Sequence, residues 1–327
     1  MDLEPVIGID LGGTNIIGIL INKKGDILAR EKRKTLAQEG KDKVITQIIG
    51  CIKDLLKEGE TLGVSLEKLL GIGVGSPGPL NRREGIIYNA PNLPGWENVP
   101  LVKILRDELG ISVFLENDAN AAALGEWWLG AGKNVNNLIL LTLGTGIGGG
   151  IIIEGEVYHG ARDMGAELGH IVIKEGGLIC GCGTRGCLEA YASATGVVKR
   201  ARAAMKKGYK TILKDLLKDN PEGLTCELVF QAARERDPLA VWLVEETGRY
   251  LAIGIGSIVN VLNPEMVILS GGMTKAGDLL FNPVRRFVRL FSLKAVIEGV
   301  RIVSGNLGDE AGAIGVAATV LKERKAL

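Results

Sequence analysis

Three short apolar runs open the chain. Val6 to Asp10 ends in an acid and a glycine pair, Ile16 to Ile21 leads into the polar turn Asn22-Lys23-Lys24-Gly25-Asp26, and Ile27 to Arg33 completes the set. Runs of this length joined by tight turns predict an antiparallel meander of three strands. From Lys41 to Glu58 the period changes. Val44, Ile45, Ile48, Ile49, Ile52 and Leu55 recur at helical spacing and predict an amphipathic helix. Leu70 to Gly75 reads as a buried strand running into the loop Ser76-Pro77-Gly78-Pro79. Val102 to Leu109 reads as a helix and Val113 to Glu116 as a strand.

The pattern then restarts. After a helix from Ala119 to Leu129 come a strand from Leu138 to Leu143, a turn from Gly144 to Gly150 and a strand from Gly150 to Glu154. This repeats the strand, glycine turn, strand order of the N-terminus. Helices follow from Gly196 to Lys207 and from Pro238 to Asn263. A late strand, Val267 to Leu269, runs into Ser270-Gly271-Gly272, and an Ala-rich helix covers Glu310 to Lys325. No Pro- or Ser-rich linker separates the halves. The expectation is therefore an α/β chain of two packed domains with a cleft between them.

Composition narrows the partners. The 327 residues agree with two domains, and the 47 glycines are about twice the usual share of roughly 7%. They cluster in loops after apolar runs, where backbone N–H groups can approach a ligand. A formal net charge of +1 with no Lys/Arg block argues against nucleic acid, because binding a phosphate backbone needs clustered positive charge. A small phosphate ligand held by backbone amides stays open. The start, Met1-Asp2-Leu3-Glu4-Pro5, is acidic, unlike a secretion signal. The uncharged stretch from Asn134 to Ile153 is long enough for a membrane span, but its Asn and Gly residues favour a turn between strands. The expectation is a cytoplasmic protein with no membrane partner. In that compartment the close cysteines 180, 182 and 187 point to metal rather than to disulfides.

Asp10-Leu11-Gly12-Gly13-Thr14-Asn15 joins two apolar strands. Such a turn presents backbone N–H groups as an anion nest, and Thr14 and Asn15 add side-chain donors. Asp10 suits a Mg²⁺ ion held through water. A plain hairpin with an exposed acid is the alternative. Leu143-Gly144-Thr145-Gly146-Ile147-Gly148-Gly149-Gly150 has the same setting. No helix follows it directly, so it is not a dinucleotide fingerprint. Two nests on mirrored hairpins suit the two sides of a triphosphate.

In Glu116-Asn117-Asp118-Ala119-Asn120, Asp118 falls between a strand and an Ala-rich helix. One reading is a helix N-cap, which Asn and Asp both favour. Three polar residues in a row exceed that need. An acid at a domain junction can also take a proton from a substrate hydroxyl, the main covalent task in phosphoryl transfer.

His170, Cys180, Cys182 and Cys187 form a Cys₃His set suited to a closed, structural zinc site, with Gly181, Gly183 and Gly186 allowing tight turns. Buried free thiols are the alternative. Glu167, three residues before His170, and Glu189, just after Cys187, add two carboxylates that can share hydrogen bonds with sugar hydroxyls. For either Glu alone, a surface carboxylate remains the other reading.

Together these residues resemble the ROK family of sugar kinases and repressors, and within it the bacterial glucokinases, over about residues 5 to 320. The most specific segment is Glu167-Leu168-Gly169-His170, then Cys180-Gly181-Cys182-Gly183, then Gly186-Cys187-Leu188-Glu189. Asp10, Gly12, Gly13, Thr14 and Asn15 resemble the family's first phosphate loop, Leu143-Gly144-Thr145-Gly146 its second, and Gly271-Gly272 its adenosine motif. The resemblance implies an actin-like, two-domain fold, with a small domain from residues 1–118 plus about 309–327 and a large one from 119–308 that carries the zinc knot, and ATP-dependent phosphorylation of the C6 hydroxyl of a hexose, D-glucose first. It implies Asp118 as general base, Asn117, Glu167, His170 and Glu189 on the other hydroxyls, and Gly78 at the mouth of the pocket. Asn92, in Asn89-Ala90-Pro91-Asn92-Leu93, is a weaker sugar contact. His170 would hold zinc with one ring nitrogen and sugar with the other. A homodimer or larger assembly is also implied.

Rival readings make different demands. The family's repressors carry a DNA-binding helix-turn-helix before the first phosphate loop, whereas here that loop's strand starts at Val6. Intact phosphate loops and Asp118 count against a non-catalytic sugar sensor. An actin-like filament protein would have no use for the cysteine knot. Fructokinase, N-acylmannosamine kinase and allose kinase remain the runners-up, with mannose as a second substrate and polyphosphate as a second donor left open.

Overall fold

A computed structural model describes residues 4–64, 66–90, 92–218 and 220–327. Residues 1–3 of the expected small domain, and Pro91 within the Asn89–Leu93 motif, lie outside the described residues. The chain forms two compact units, one from residues 1–136, 150–166 and 306–327, the other from 137–149 and 167–305.

In the first unit β1 (Pro5–Leu11), β2 (Asn15–Asn22) and β3 (Ile27–Lys34) form the antiparallel meander, with Asp10 opposite Ile17. β4 (Ile72–Ser76) runs parallel to β1. Three short strands, β5 (Leu80–Asn81), β6 (Ile86–Asn89) and β7 (Glu97–Val99), make a small sheet of their own. β8 (Val113–Asn117) runs parallel to β4 and completes the order β3-β2-β1-β4-β8. The inner strands are apolar on both faces because both are covered. On one face Ile7, Ile9 and Leu11 share a core with Val44, Ile48, Ile52 and Leu55 of helix Lys41–Thr61. On the other, Val6, Ile19 and Ile21 share one with Ala313, Ala317 and Val320 of helix Ala311–Glu323. Each fully buried large side chain contributes about 1.5–3 kcal/mol. The second helix comes so near that a Cβ on Gly8 would stand 2.0 Å from the Ala313 carbonyl oxygen.

The helix Asp118–Trp128 packs on Ala311–Glu323, which is why the first unit extends past the expected boundary at residue 118. In the second unit β9 (Leu138–Leu143) is followed by β10 (Ile147–Ile153). The end of β10 belongs to the first unit and pairs there with β11 (Glu156–Val157). β12 (Met266–Ser270) runs parallel to β9, and β13 (Arg301–Ser304) parallel to β12.

One expectation is corrected. The glycine turn spans less than Gly144–Gly150: the Gly144 N–H bonds the Gly146 carbonyl at 3.0 Å, and β10 starts at Ile147. Gly148, Gly149 and Gly150 are strand residues. A Cβ on Gly150 would lie 2.7 Å from the Ala119 carbonyl oxygen, so glycine marks a close helix here, not a turn. Among the described residues no helix is long and apolar enough to cross a membrane.

Candidate active site

Residues 12–14 turn β1 back into β2. The Gly12 N–H donates to the Asn15 carbonyl at 3.0 Å. Thr35, fully buried just after β3, straps the turn from outside. Its Oγ1 donates to the Gly12 carbonyl at 2.6 Å and its N–H to the Thr14 carbonyl at 3.0 Å. Thr14 is left exposed, with Gly13 and Asn15 partly so. The Asp10 carboxylate lies against the first turn of helix Ala311–Glu323, where a Cβ on Gly312 would come within 2.6 Å of it. Burial, followed by the charges of Asp118 and Asp309, pushes the Asp10 carboxyl up to about 7. A carboxyl held in this state is relieved by a nearby cation.

At the end of β8 the chain enters the helix Asp118–Trp128. Asn117, not Asp118, is the N-cap: its extended backbone turns its Oδ1 onto the N–H groups of Ala119 (3.0 Å) and Asn120 (3.2 Å). Asp118 is the first helical residue, partly exposed, with Oδ1 accepting the Ala119 N–H at 2.8 Å. The preceding Glu116 is buried and paired with Arg82 and His159, which sequence reasoning left aside. Gly78 has φ +87°, with its backbone against Asn89 and Ala90. Asn92 is exposed and neighbours Gly13.

In the second unit the turn Gly144–Gly146 is held from one short segment. Glu189, on the helix Leu188–Ala192, accepts the Ile147 N–H through Oε2 at 2.8 Å, and the Ala194 N–H donates to the Gly144 carbonyl at 2.9 Å. Gly271 (φ +91°) sets its backbone against Leu143, and Gly272 is exposed beside it. A pocket of about 570 Å³ opens here, lined by Gly144, Thr145, Phe230, Arg234, Gly272 and Lys275 among others. An aromatic face, two cations and a glycine turn are what a nucleoside phosphate needs. Phe230, Arg234 and Lys275 had no signal in the sequence, since they come from helix Cys226–Arg234 and the segment after β12.

The structure brings His170, Cys180, Cys182 and Cys187 together. His170 Nδ1 lies 3.7 Å from Cys180 Sγ, Cys182 and Cys187 sulfurs are 3.8 Å apart, and all four donor atoms fall within 4.8 Å of one another. Ligands ~2.3 Å from a tetrahedral zinc stand about 3.8 Å apart, so these residues fit the ion. Burial pushes the Cys180 thiol up to about 12, while the Thr184 N–H is the first cause lowering Cys182 to about 7. His170 Nε2 faces Glu167 Oε2 at 4.0 Å, and Glu189 Oε1 lies 3.3 Å from Cys180 Sγ. Thus Glu167, His170 and Glu189 gather around the knot in the second unit, while Gly78, Asn117 and Asp118 belong to the first.

The sequence profile of the ROK family matches residues 6–323. A glucokinase of Thermotoga maritima is 41% identical over 319 residues, covering 98% of each chain. A xylose repressor of Caldicellulosiruptor bescii is 32% identical, covering 98% of this chain and 79% of its own. Among solved structures, a ROK family glucokinase from Streptomyces griseus in complex with glucose and AMPPNP superposes with a TM-score of 0.79 at 32% identity, covering 96% of this chain and 98% of that one. Its fold is that of the actin-like sugar kinases, and this chain belongs to the ROK family.

Proposed function

We propose that the chain is an ATP-dependent hexose kinase that transfers the γ-phosphoryl group to the C6 hydroxyl of D-glucose. The observation that carries this reading is the pocket of about 570 Å³ that brings Gly272 and the Gly144–Thr145 turn to one wall, with Arg234 and Lys275 beside them. Full-length identity of 41% to a glucokinase supports glucose as the acceptor.

In this reading Asp118 accepts the C6 hydroxyl proton as that oxygen bonds the γ-phosphorus. The bond from the γ-phosphorus to the bridging oxygen breaks, and ADP leaves with the electron pair. A positioned general base contributes ~10²–10⁴-fold. Asn117, Glu167, His170 and Glu189 hold the remaining hydroxyls, with Gly78 at the pocket mouth. Gly12, Gly13, Thr14 and Asn15 hold one side of the phosphates, Thr145 and Gly146 the other, and Gly271 and Gly272 the adenosine. When bound, Mg²⁺ near Asp10 neutralises phosphate charge and zinc on His170, Cys180, Cys182 and Cys187 fixes the His170 ring. We place the reaction in the cytoplasm and assign a homodimer or larger assembly, which sedimentation checks.

A coupled ADP-release assay with Mg-ATP against glucose, mannose, fructose, allose and N-acetylmannosamine tests the reading. We expect glucose to lead in kcat/KM by at least ~10-fold, the discrimination a few polar contacts supply. Preference for another hexose would change the acceptor and keep the chemistry. No turnover with any sugar would overturn the proposal.

A further inference from the structure

We propose that Glu116, His159 and Arg82 form a positioning network that holds the Asn117–Asp118 turn for catalysis, with His159 acting through its Nε2–H tautomer. This rests on the reading of Asp118 as the base.

Glu116 is 1% exposed, so its carboxylate needs partners for every lone pair that faces the interior. The two oxygens divide the work. Oε1 accepts the N–H of Asn117 at 3.0 Å and the Asn120 side-chain amide at 3.4 Å, both in the cap of the helix that starts at Asp118. Oε2 lies 2.9 Å from His159 Nε2 in a hydrogen bond, and 2.9 Å from Arg82 Nε in an ion pair whose angle does not make a hydrogen bond. One oxygen therefore holds the turn, and the other is held by two residues from distant segments of the same unit. Arg82 is anchored in turn: its backbone N–H donates to Asp163 Oδ2 at 3.2 Å, and its guanidinium reaches Glu323 at 3.4 Å.

The ring contacts assign the tautomer. His159 Nδ1 lies 3.5 Å from Arg82 Nη1. A guanidinium only donates, so Nδ1 is the accepting nitrogen and Nε2 carries the hydrogen that Glu116 receives. The opposite tautomer would turn two donors toward each other on one side and two acceptors on the other.

A network of this kind can be merely structural. The difference lies in what it holds. Glu116 bonds the backbone N–H of the residue immediately before Asp118, and a misplacement of about 1 Å at a catalytic group costs ~100-fold in rate. Its loss should lower kcat without weakening the nucleotide pocket or the cysteine knot, since neither contains a member of the network.

The test compares His159→Ala, which removes both ring contacts, with His159→Gln, whose amide both donates and accepts. His159→Ala should lower kcat ~10–100-fold with KM for ATP within about threefold, a rise in KM for glucose smaller than the fall in kcat because Asn117 shares the turn, and zinc content unchanged, and His159→Gln should recover most of the loss. The chain has only 2 histidines, so the ring nitrogens of the wild-type protein are assignable by NMR. His159 should show hydrogen on Nε2. The amide signals of Asn117, Asp118 and Ala119 should move in His159→Ala and return in His159→Gln. Hydrogen on Nδ1, an unchanged kcat in His159→Ala, or a joint fall of kcat, affinity and melting temperature that Gln does not rescue would overturn the proposal. If His159→Ala does not fold, the wild-type tautomer and the Gln variant decide. If the wild-type protein phosphorylates no sugar, the proposed function falls, and the tautomer and amide shifts judge the network by themselves.

Discussion

The two glycine hairpins resemble each other in sequence and are anchored by different chemistry. At residues 12–14 a neutral hydroxyl, Thr35 Oγ1, takes up a carbonyl, and the nearby charge is an acid pushed up to about 7. At residues 144–146 a carboxylate, Glu189, takes up an N–H, and it stands on a five-residue helix whose N-cap is the cysteine ligand candidate Cys187. The first hairpin is thus sensitive to protons and the second to whatever fixes the cysteine knot. Similar loops can serve one ligand and still fail under different conditions.

Removing the metal should separate them most strongly. Cys182→Ala, or chelation of the wild-type protein, should abolish zinc binding and release the segment that holds Ile147 and Gly144. Losing a hydrogen bond to a charged group costs about 2 kcal/mol, so calorimetry should show nucleotide affinity falling roughly 30-fold, together with sugar affinity. Unchanged nucleotide affinity in zinc-free protein would break the comparison. A smaller effect should mark the first hairpin. Asp10 is protonated below about 7 and must ionise to serve Mg²⁺, so binding strengthens as pH rises through that value. KM for Mg-ATP should be ~10-fold higher at pH 6 than at pH 8, and Asp10→Asn should flatten the profile. A pH-independent KM in the wild-type protein would remove Asp10 from that role.

What could be read in advance was local. The apolar runs of β1, β2 and β3 and the helical spacing from Val44 to Leu55 lie within single segments, and the structure places the meander and helix Lys41–Thr61 there. His170, Cys180, Cys182 and Cys187 fall within one stretch of chain, so their approach was visible as spacing. Illegible features depended on distant partners. Gly150 reads as a turn until helix Asp118–Trp128 is placed over it. Thr35 is 23 residues from Gly12, and His159 is 43 from Glu116. Phe230 reads as an ordinary core residue of its helix, and Arg234 and Lys275 as ordinary surface charges, until the pocket gathers them. Between Asn117 and Asp118, composition left the N-cap undecided, because both types serve. Backbone geometry assigns it to Asn117, which leaves the Asp118 carboxylate outside the cap position.

The most direct test of the account is the turnover of Asp118→Asn in the ADP-release assay with glucose and Mg-ATP. With Asp118 as the base, kcat should be lower by ~10²–10⁴-fold, with zinc content, melting temperature and KM for glucose close to wild type. Near-normal turnover in a folded, zinc-loaded variant would contradict it.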